Sequence, residues 1–175
     1  MDRQSLLKAI KSVAYLEGDF VTRAGNRTSY YIDKYLFETQ PDILSALADC
    51  LMPLLPPLTD FDRLAAPELG AVSIAAVLSV RCNKPFVIVK KQSKEYGTQR
   101  MIEGQFSPGD RMVIIEDILT TGGAALRALD VLRTERVAVS HIIGVINREE
   151  GAFENIVAAG VIPSALFSTT DLKTC

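Results

Sequence analysis

Apolar positions along the chain follow two kinds of pattern. Near the amino end, Leu6, Leu7, Ile10, Val13 and Ala14 recur at helical spacing and predict a first helix. An extended stretch around Phe20-Val21-Thr22, a turn at Ala24-Gly25-Asn26 and a second extended run, Ser29-Tyr30-Tyr31-Ile32-Asp33, follow it. A second helix is expected from about Asp42 through leucines 47, 51 and 55, with Asp42 placed to cap its first turn.

Beyond the proline-rich segment 53–59 the pattern changes, and short apolar runs alternate with helical stretches. Leu64-Ala65-Ala66 precedes a helix from about Gly70 to Arg81. Phe86-Val87-Ile88-Val89 leads into a polar stretch. Met112-Val113-Ile114-Ile115 precedes a helix with Ala125, Ala128, Leu129 and Leu132 on one face. Ile142 to Ile146 precedes a short helix from about Phe153 to Ala159, and Ile162 to Phe167 is the last run. Continuous rather than alternating apolar runs describe strands buried on both faces, hence parallel strands with crossover helices. The fold class is α/β, a central mostly parallel sheet flanked by helices. In such folds ligands bind at the carboxyl ends of the strands, so the residues after each run are the ones to question.

Composition narrows the classes. A chain of 175 residues, 48 % apolar and 23 % charged, fits one globular domain, 1–175. The expected division is a helix and hood over 1–40 and a ligand-binding core over 60–170. A net charge of −2 argues against a general nucleic-acid or membrane binder. No apolar run approaches the ~20 residues of a membrane span. The start, Met1-Asp2-Arg3-Gln4, lacks the layout of a secretion signal. Three scattered cysteines, Cys50, Cys82 and Cys175, read as reduced thiols in the cytoplasm. His141, the single histidine, opens a strand and reads as structural. No metal-ligand spacing is visible.

The run ending at Ile115 continues Glu116-Asp117-Ile118-Leu119-Thr120-Thr121-Gly122-Gly123-Ala124-Ala125. Two carboxylates close the strand, then two hydroxyls and two glycines lead into a helix. Glycines let a ligand approach the main chain, and the unpaired N–H groups of a helix start attract a phosphate. Carboxylates beside a phosphate cradle suit ribose hydroxyls, which donate to them. With no lysine after the glycines this is not a Walker A loop, and G-x-G-x-x-G is absent. After Val89 comes a loop with Lys90, Lys91, Lys94 and Arg100, in which Gly97 and Gly104 can act as flexible points. At ~4 Å and an effective dielectric near 20, each lysine–phosphate pair is worth about 4 kcal/mol before desolvation. Such a loop can close over a diphosphate and exclude water.

The acid-pair segment closely resembles the signature of the type I phosphoribosyltransferases. The resemblance implies that Glu116 and Asp117 hold the ribose hydroxyls of phosphoribosyl pyrophosphate (PRPP), that Thr120, Thr121, Gly122, Gly123 and Ala124 cradle its 5-phosphate, and that Ile118 and Leu119 belong to the same PRPP site. The segment from Lys90 to Gly104 is similar to the catalytic loop of orotate phosphoribosyltransferases. By that resemblance Lys94 meets the pyrophosphate and leaving oxygen, with Lys90, Lys91 and Tyr96 assisting. The loop would reach the neighbouring subunit's site, which implies a homodimer. Phe20 to Asp33 resembles the family's amino-terminal hood, with Arg23 at a PRPP-contacting position and Tyr31 and Ile32 near the orotate ring. Asn147-Arg148-Glu149-Glu150-Gly151 resembles the family's Asp-Arg-x-x-Gly, so Arg148 would pair with the orotate carboxylate and Thr120 would lie beside the base. Catalysis would rest on Lys94, Glu116 and Asp117, with Mg²⁺ carried by PRPP rather than held in a protein cage.

The match departs at three places. Many family members carry a tyrosine–lysine pair in the pyrophosphate loop; here the segment is Pro67-Glu68-Leu69-Gly70-Ala71, so that loop supplies no cation. Asn147 replaces an aspartate and Arg23 a lysine. The implied activity is transfer of phosphoribose from PRPP to orotate in pyrimidine synthesis. The alternatives are transfer to another base, or a PRPP-sensing regulator that has lost catalysis.

Overall fold

Asp2 sets the first helix. Its carboxylate accepts from the Ser5 N–H at 2.8 Å, and α1 (Arg3–Ala14) buries Leu6, Leu7, Ile10 and Ala14 as the spacing requires. The structure is a computed structural model and describes residues 1–21, 25, 27–92 and 100–175. Arg23, Lys94 and Tyr96, and most of the expected 24–26 turn, lie outside the described residues.

β1 (Tyr15–Val21) pairs antiparallel with β2 (Arg27–Ile32). Burial alternates along β2: Thr28, Tyr30 and Ile32 face inward, and Arg27, Ser29 and Tyr31 face out. A five-residue helix not expected from the sequence, α2 (Lys34–Glu38), follows at once. Next comes α3 (Pro41–Leu51), which starts one residue before the expected cap. Gln40 occupies the N-cap position without a side-chain hydrogen bond, so Asp42 sits inside the first turn rather than capping it. Pro41 explains the start, since its missing N–H costs nothing there. A 3-10 turn over Met52–Leu54 then removes Leu55 from the helix, although Leu55 still packs on the core.

The remaining elements alternate: β3 (Arg63–Pro67), α4 (Ala71–Cys82), β4 (Phe86–Val89), β5 (Ile102–Glu103), β6 (Arg111–Leu119), α5 (Gly123–Thr134), β7 (Ala138–Asn147), α6 (Ala152–Ala158), β8 (Ile162–Ser168) and α7 (Thr169–Thr174). They build a six-stranded sheet ordered β5-β4-β3-β6-β7-β8. All neighbours are parallel except the short edge strand β5, which runs antiparallel to β4. One face packs on α1, α3 and α4, with Val113 and Ile115 of β6 turned toward them. The other packs on α5 and α6, with Met112 and Ile114 turned that way. The mostly parallel α/β architecture is the one the apolar runs predict.

Strand order decides where a ligand binds. From β3 the chain passes to β4 on one side, and β6 then returns to the other side of β3. The connections therefore diverge between β3 and β6, and a crevice opens there at the carboxyl ends. The segments at its two walls are 67–71, after β3, and 119–124, after β6.

Candidate active site

β6 runs further than its apolar run suggests. It stays paired with β7 out to Leu119 opposite Asn147, so Glu116 and Asp117 are strand residues, not the loop that closes it. Both carboxylates are consequently buried. Leu119 is also buried, its side chain lying against Gly144, where any Cβ would come within 2.7 Å of it. Leu119 therefore offers a ligand only its backbone. Past it, Gly122 adopts φ +79°, a left-handed conformation that favours glycine, and starts α5 with its carbonyl accepting from the Leu126 N–H at 2.9 Å. Asn155 of α6 donates to the Thr121 carbonyl at 3.0 Å, and the Arg148 N–H to the Leu119 carbonyl at 2.8 Å. The loop is thus tied to the elements on either side, with the N–H groups of the first turn of α5 free of side-chain caps.

Asp117 lies at the centre of a charged cluster that the sequence reading did not contain. Lys34, the first residue of α2, donates from Nζ to Asp117 Oδ2 at 2.5 Å. The Ile118 N–H donates to Asp117 Oδ1 at 2.5 Å. Gly70 lies directly against the same carboxylate: a Cβ there would overlap Asp117 Oδ2 and come within 2.7 Å of Lys34 Nζ. Glu38, one turn along α2 from Lys34, is buried beside them. Burial raises Glu116 well above the usual carboxylate range, and the neighbouring Asp117 charge adds to it. Burial and then Asp117 likewise push Glu38 up to about 8. Burial alone would lower Lys34, but Asp117 and Glu38 outweigh it and its ammonium is held above the ordinary lysine value. Burial thus disfavours the charged forms of Glu38 and Glu116, while Lys34 and Asp117 form the ion pair of the cluster. Glu38 Oε1 and Glu116 Oε2 are buried with no hydrogen-bond partner among the described residues.

The segment 67–71 passes through a cis peptide between Glu68 and Leu69. Glu68 Oε1 accepts from the Lys91 N–H at 2.6 Å, which joins this segment to the start of the lysine loop. The Lys90 ammonium pairs with Glu103 of β5 at 2.8 Å. A recess of about 250 Å³ lies between these residues and α5, lined by Glu68, Lys90, Lys91, Ala124 and Arg127 among others. Arg127, one turn into α5, brings its guanidinium to within 3.4 Å of the Cβ position of Gly123, beside the glycine loop. A larger recess of about 620 Å³, lined by Arg63, Phe106 and Glu135, lies at the amino-terminal end of β3, away from the strand ends that carry the chemistry.

Arg148 follows β7 and reaches the hood. Its Nη2 donates to the Tyr30 hydroxyl at 3.3 Å, and its guanidinium carbon stands 5.2 Å from the centre of that ring. Glu150 pairs with its Nε at 3.0 Å. Tyr30 is stacked on Tyr15 at 5.3 Å. Of the two hood residues named from the sequence, Ile32 shares the inward face with Tyr30 and is buried in the core, whereas Tyr31 is on the outward face against Phe20. Tyr30, not Tyr31, meets Arg148. The motif residues Glu116–Ala124 and Arg148 gather around the ends of β6 and β7; Lys90 and Lys91 stand across the crevice after β4. His141 lies near the start of β7 with Nδ1 2.9 Å from Ser140 Oγ, remote from these ends.

Comparison with known proteins fits this geometry. The phosphoribosyl transferase domain matches residues 59–159. An orotate phosphoribosyltransferase of Methanocella arvoryzae is 40 % identical over 167 residues, covering 95 % of this chain and 93 % of the relative. One from Thermococcus gammatolerans is 44 % identical over 154 residues, covering 87 % and 82 %. The chain belongs to the orotate phosphoribosyltransferase family. The crystal structure of the family member from Aeropyrum pernix superposes with a TM-score of 0.85 at 28 % identity, covering 98 % of this chain and 96 % of that one. The matched domain begins before β3 and ends after α6, so it contains both walls of the crevice. It leaves out the hood and α2, the elements that supply Tyr30, Lys34 and Glu38.

Proposed function

We propose that this chain transfers the phosphoribosyl group of PRPP to orotate, forming orotidine 5′-monophosphate and pyrophosphate. The observation that carries the reading is the crevice between β3 and β6, where a buried acid pair, an uncapped glycine loop at the start of α5 and the guanidinium of Arg148 converge. In it the 5-phosphate takes the loop N–H groups of 120–124, and the ribose hydroxyls take the acid pair. Arg148 presents a planar fork that suits the orotate carboxylate, with the Tyr30 ring beside it.

The reaction breaks the bond from the ribose anomeric carbon to the pyrophosphate oxygen as positive charge builds on the sugar. The base ring nitrogen bonds to that carbon from the opposite face and gives up its proton, and the leaving group departs with the bonding electrons and ends carrying that proton. The protein contributes positioning and charge stabilisation rather than a covalent intermediate. Among the described residues no group of three or more histidine, cysteine or acidic side chains could hold a metal ion. Mg²⁺, a hard cation, would enter on the oxygens of PRPP and would neutralise diphosphate charge there. Lys94 acts on the leaving group, and the 90–104 loop completes the site of a second copy in a homodimer. The exposed apolar side chains Leu16, Tyr31, Tyr35 and Leu36 on the hairpin and α2 support such an interface. Its setting is the cytoplasm, in keeping with three free cysteines. No helix among the described residues is long and apolar enough to cross a membrane.

The test is pyrophosphate release from PRPP and Mg²⁺ with orotate, uracil, adenine or hypoxanthine in turn. Release with orotate above the other bases is expected. Release with a different base overturns the assignment of orotate, and no release with any base overturns the transferase reading.

A further inference from the structure

We infer that Lys34 supplies the cation that the 67–71 segment lacks, and that its ammonium binds the diphosphate of the ribosyl donor. The inference rests on the PRPP reading above and names a residue for it that lies outside the matched domain.

A loop that receives a diphosphate needs positive charge, and this one carries Glu68, Leu69 and Gly70. Glu68 is acidic and already occupied by the Lys91 backbone. Lys90 is committed to Glu103. The charge that reaches the segment comes instead from the hood: Lys34 Nζ lies 2.7 Å from where a Gly70 Cβ would be. The absence of a side chain at Gly70 is what makes room for it. Gly70 itself has φ −60°, which any residue adopts, so space and not backbone freedom is what the glycine provides.

Within the ion pair the two partners are unequal. The Lys34 side chain is 31 % exposed and that of Asp117 only 3 %. Of the two, the Lys34 side chain is the partner open to a ligand, and the carboxylate is covered. An ammonium has three N–H donors, of which Asp117 takes one, so donors remain for phosphate oxygens without breaking the pair. Asp117 and Glu38 keep the group protonated, and Asp117 fixes its position.

Equilibrium binding to the full chain with Mg²⁺ separates this from a purely structural role. The ligands are PRPP, inorganic pyrophosphate and ribose 5-phosphate. The variant is Lys34→Gln, which keeps an N–H donor for Asp117 and loses the charge. PRPP and pyrophosphate should each weaken about 10- to 100-fold, the range of one charged hydrogen bond, while ribose 5-phosphate changes less than about threefold. Lys34→Arg should restore most of the pyrophosphate affinity. So should Leu69→Lys added to Lys34→Gln, because Leu69 is 65 % exposed on the same segment and restores a cation there. Equal weakening of ribose 5-phosphate and pyrophosphate would mean that Lys34 only orders Asp117, and would overturn the inference. Unchanged pyrophosphate binding in the Gln variant would overturn it too. If Lys34→Gln fails to fold, Leu69→Lys in the unmodified chain decides: a second cation should tighten pyrophosphate but not ribose 5-phosphate, and no tightening overturns it. Failure of the parent reading looks different, since the unmodified protein would then bind none of the three.

Discussion

Replacing Glu38 by glutamine should make the protein more stable at alkaline pH and leave it nearly unchanged at pH 5. Glu38 is only 3 % exposed, lies beside Asp117, and holds its proton up to about pH 8. In the unfolded chain the same group loses its proton near its ordinary value of 4.5. Between these limits the folded state binds the extra proton, so stability must fall as pH rises. The contribution is fully present below 4.5 and gone above about 8. The slope is about 1.4 kcal/mol per pH unit for one proton, and the whole window is worth about 5 kcal/mol at most. Glutamine has the shape of the protonated acid and no proton to lose. Urea unfolding at pH 5, 6, 7 and 8 measures both slopes. The variant's slope should be shallower but still negative, because Glu116 is raised by burial and by Asp117 in the same direction. Parallel curves for the two proteins would refute the assignment of a retained proton to Glu38. A steeper curve for the variant would refute the sign of the argument.

Other substitutions probe the same walls. Gly70→Ala forces a methyl group into the Asp117 carboxylate and the Lys34 ammonium, and should cost about 1–3 kcal/mol in thermal or urea unfolding and weaken PRPP. A fully stable Ala variant with normal PRPP affinity would show that the segment moves away at no cost. Arg148→Ala should weaken orotate about 10- to 100-fold and PRPP far less; equal loss for both would remove Arg148 from the base site. Lys94→Ala should lower turnover ~10²–10³-fold with the fold intact by circular dichroism, and near-normal turnover would remove Lys94 from the chemistry.

The sheet was legible because its strands are buried on both faces. Val113, Ile114 and Ile115 belong alternately to the two cores, so the run shows no alternation, and that absence is itself the signature of a covered parallel strand. Ends were harder to read. β6 continues through Glu116 and Asp117 because pairing with β7 continues, and backbone pairing is indifferent to side-chain polarity. Proline set the start of α3 where an acid at the second position looked like a cap. The short elements α2 and α7 escaped notice because five or six residues carry too little periodicity, although Ser168 and Asp171 form a reciprocal capping box that a search for S-x-x-D would have flagged.

The site divides along the same line. Residues consecutive in sequence, 116–124, could be read as a unit because one strand-to-helix bend holds them together. Lys34, Glu38 and Tyr30 could not, since each acquires its meaning from a partner more than 75 positions away: Asp117 for the first two, Arg148 for the third. The sequence did contain one trace of the arrangement. An acid pair in the middle of a covered sheet is costly unless something neutralises it. With its own loops offering only Glu68, Leu69 and Gly70 opposite, a compensating cation had to come from elsewhere in the chain. Burial disfavours charge on Glu116 and Glu38, and Lys34 pairs with Asp117. A diphosphate that takes up the remaining Lys34 donors leaves the Asp117 pair intact, so the phosphate wall and the ribose wall of the crevice are joined through one ion pair.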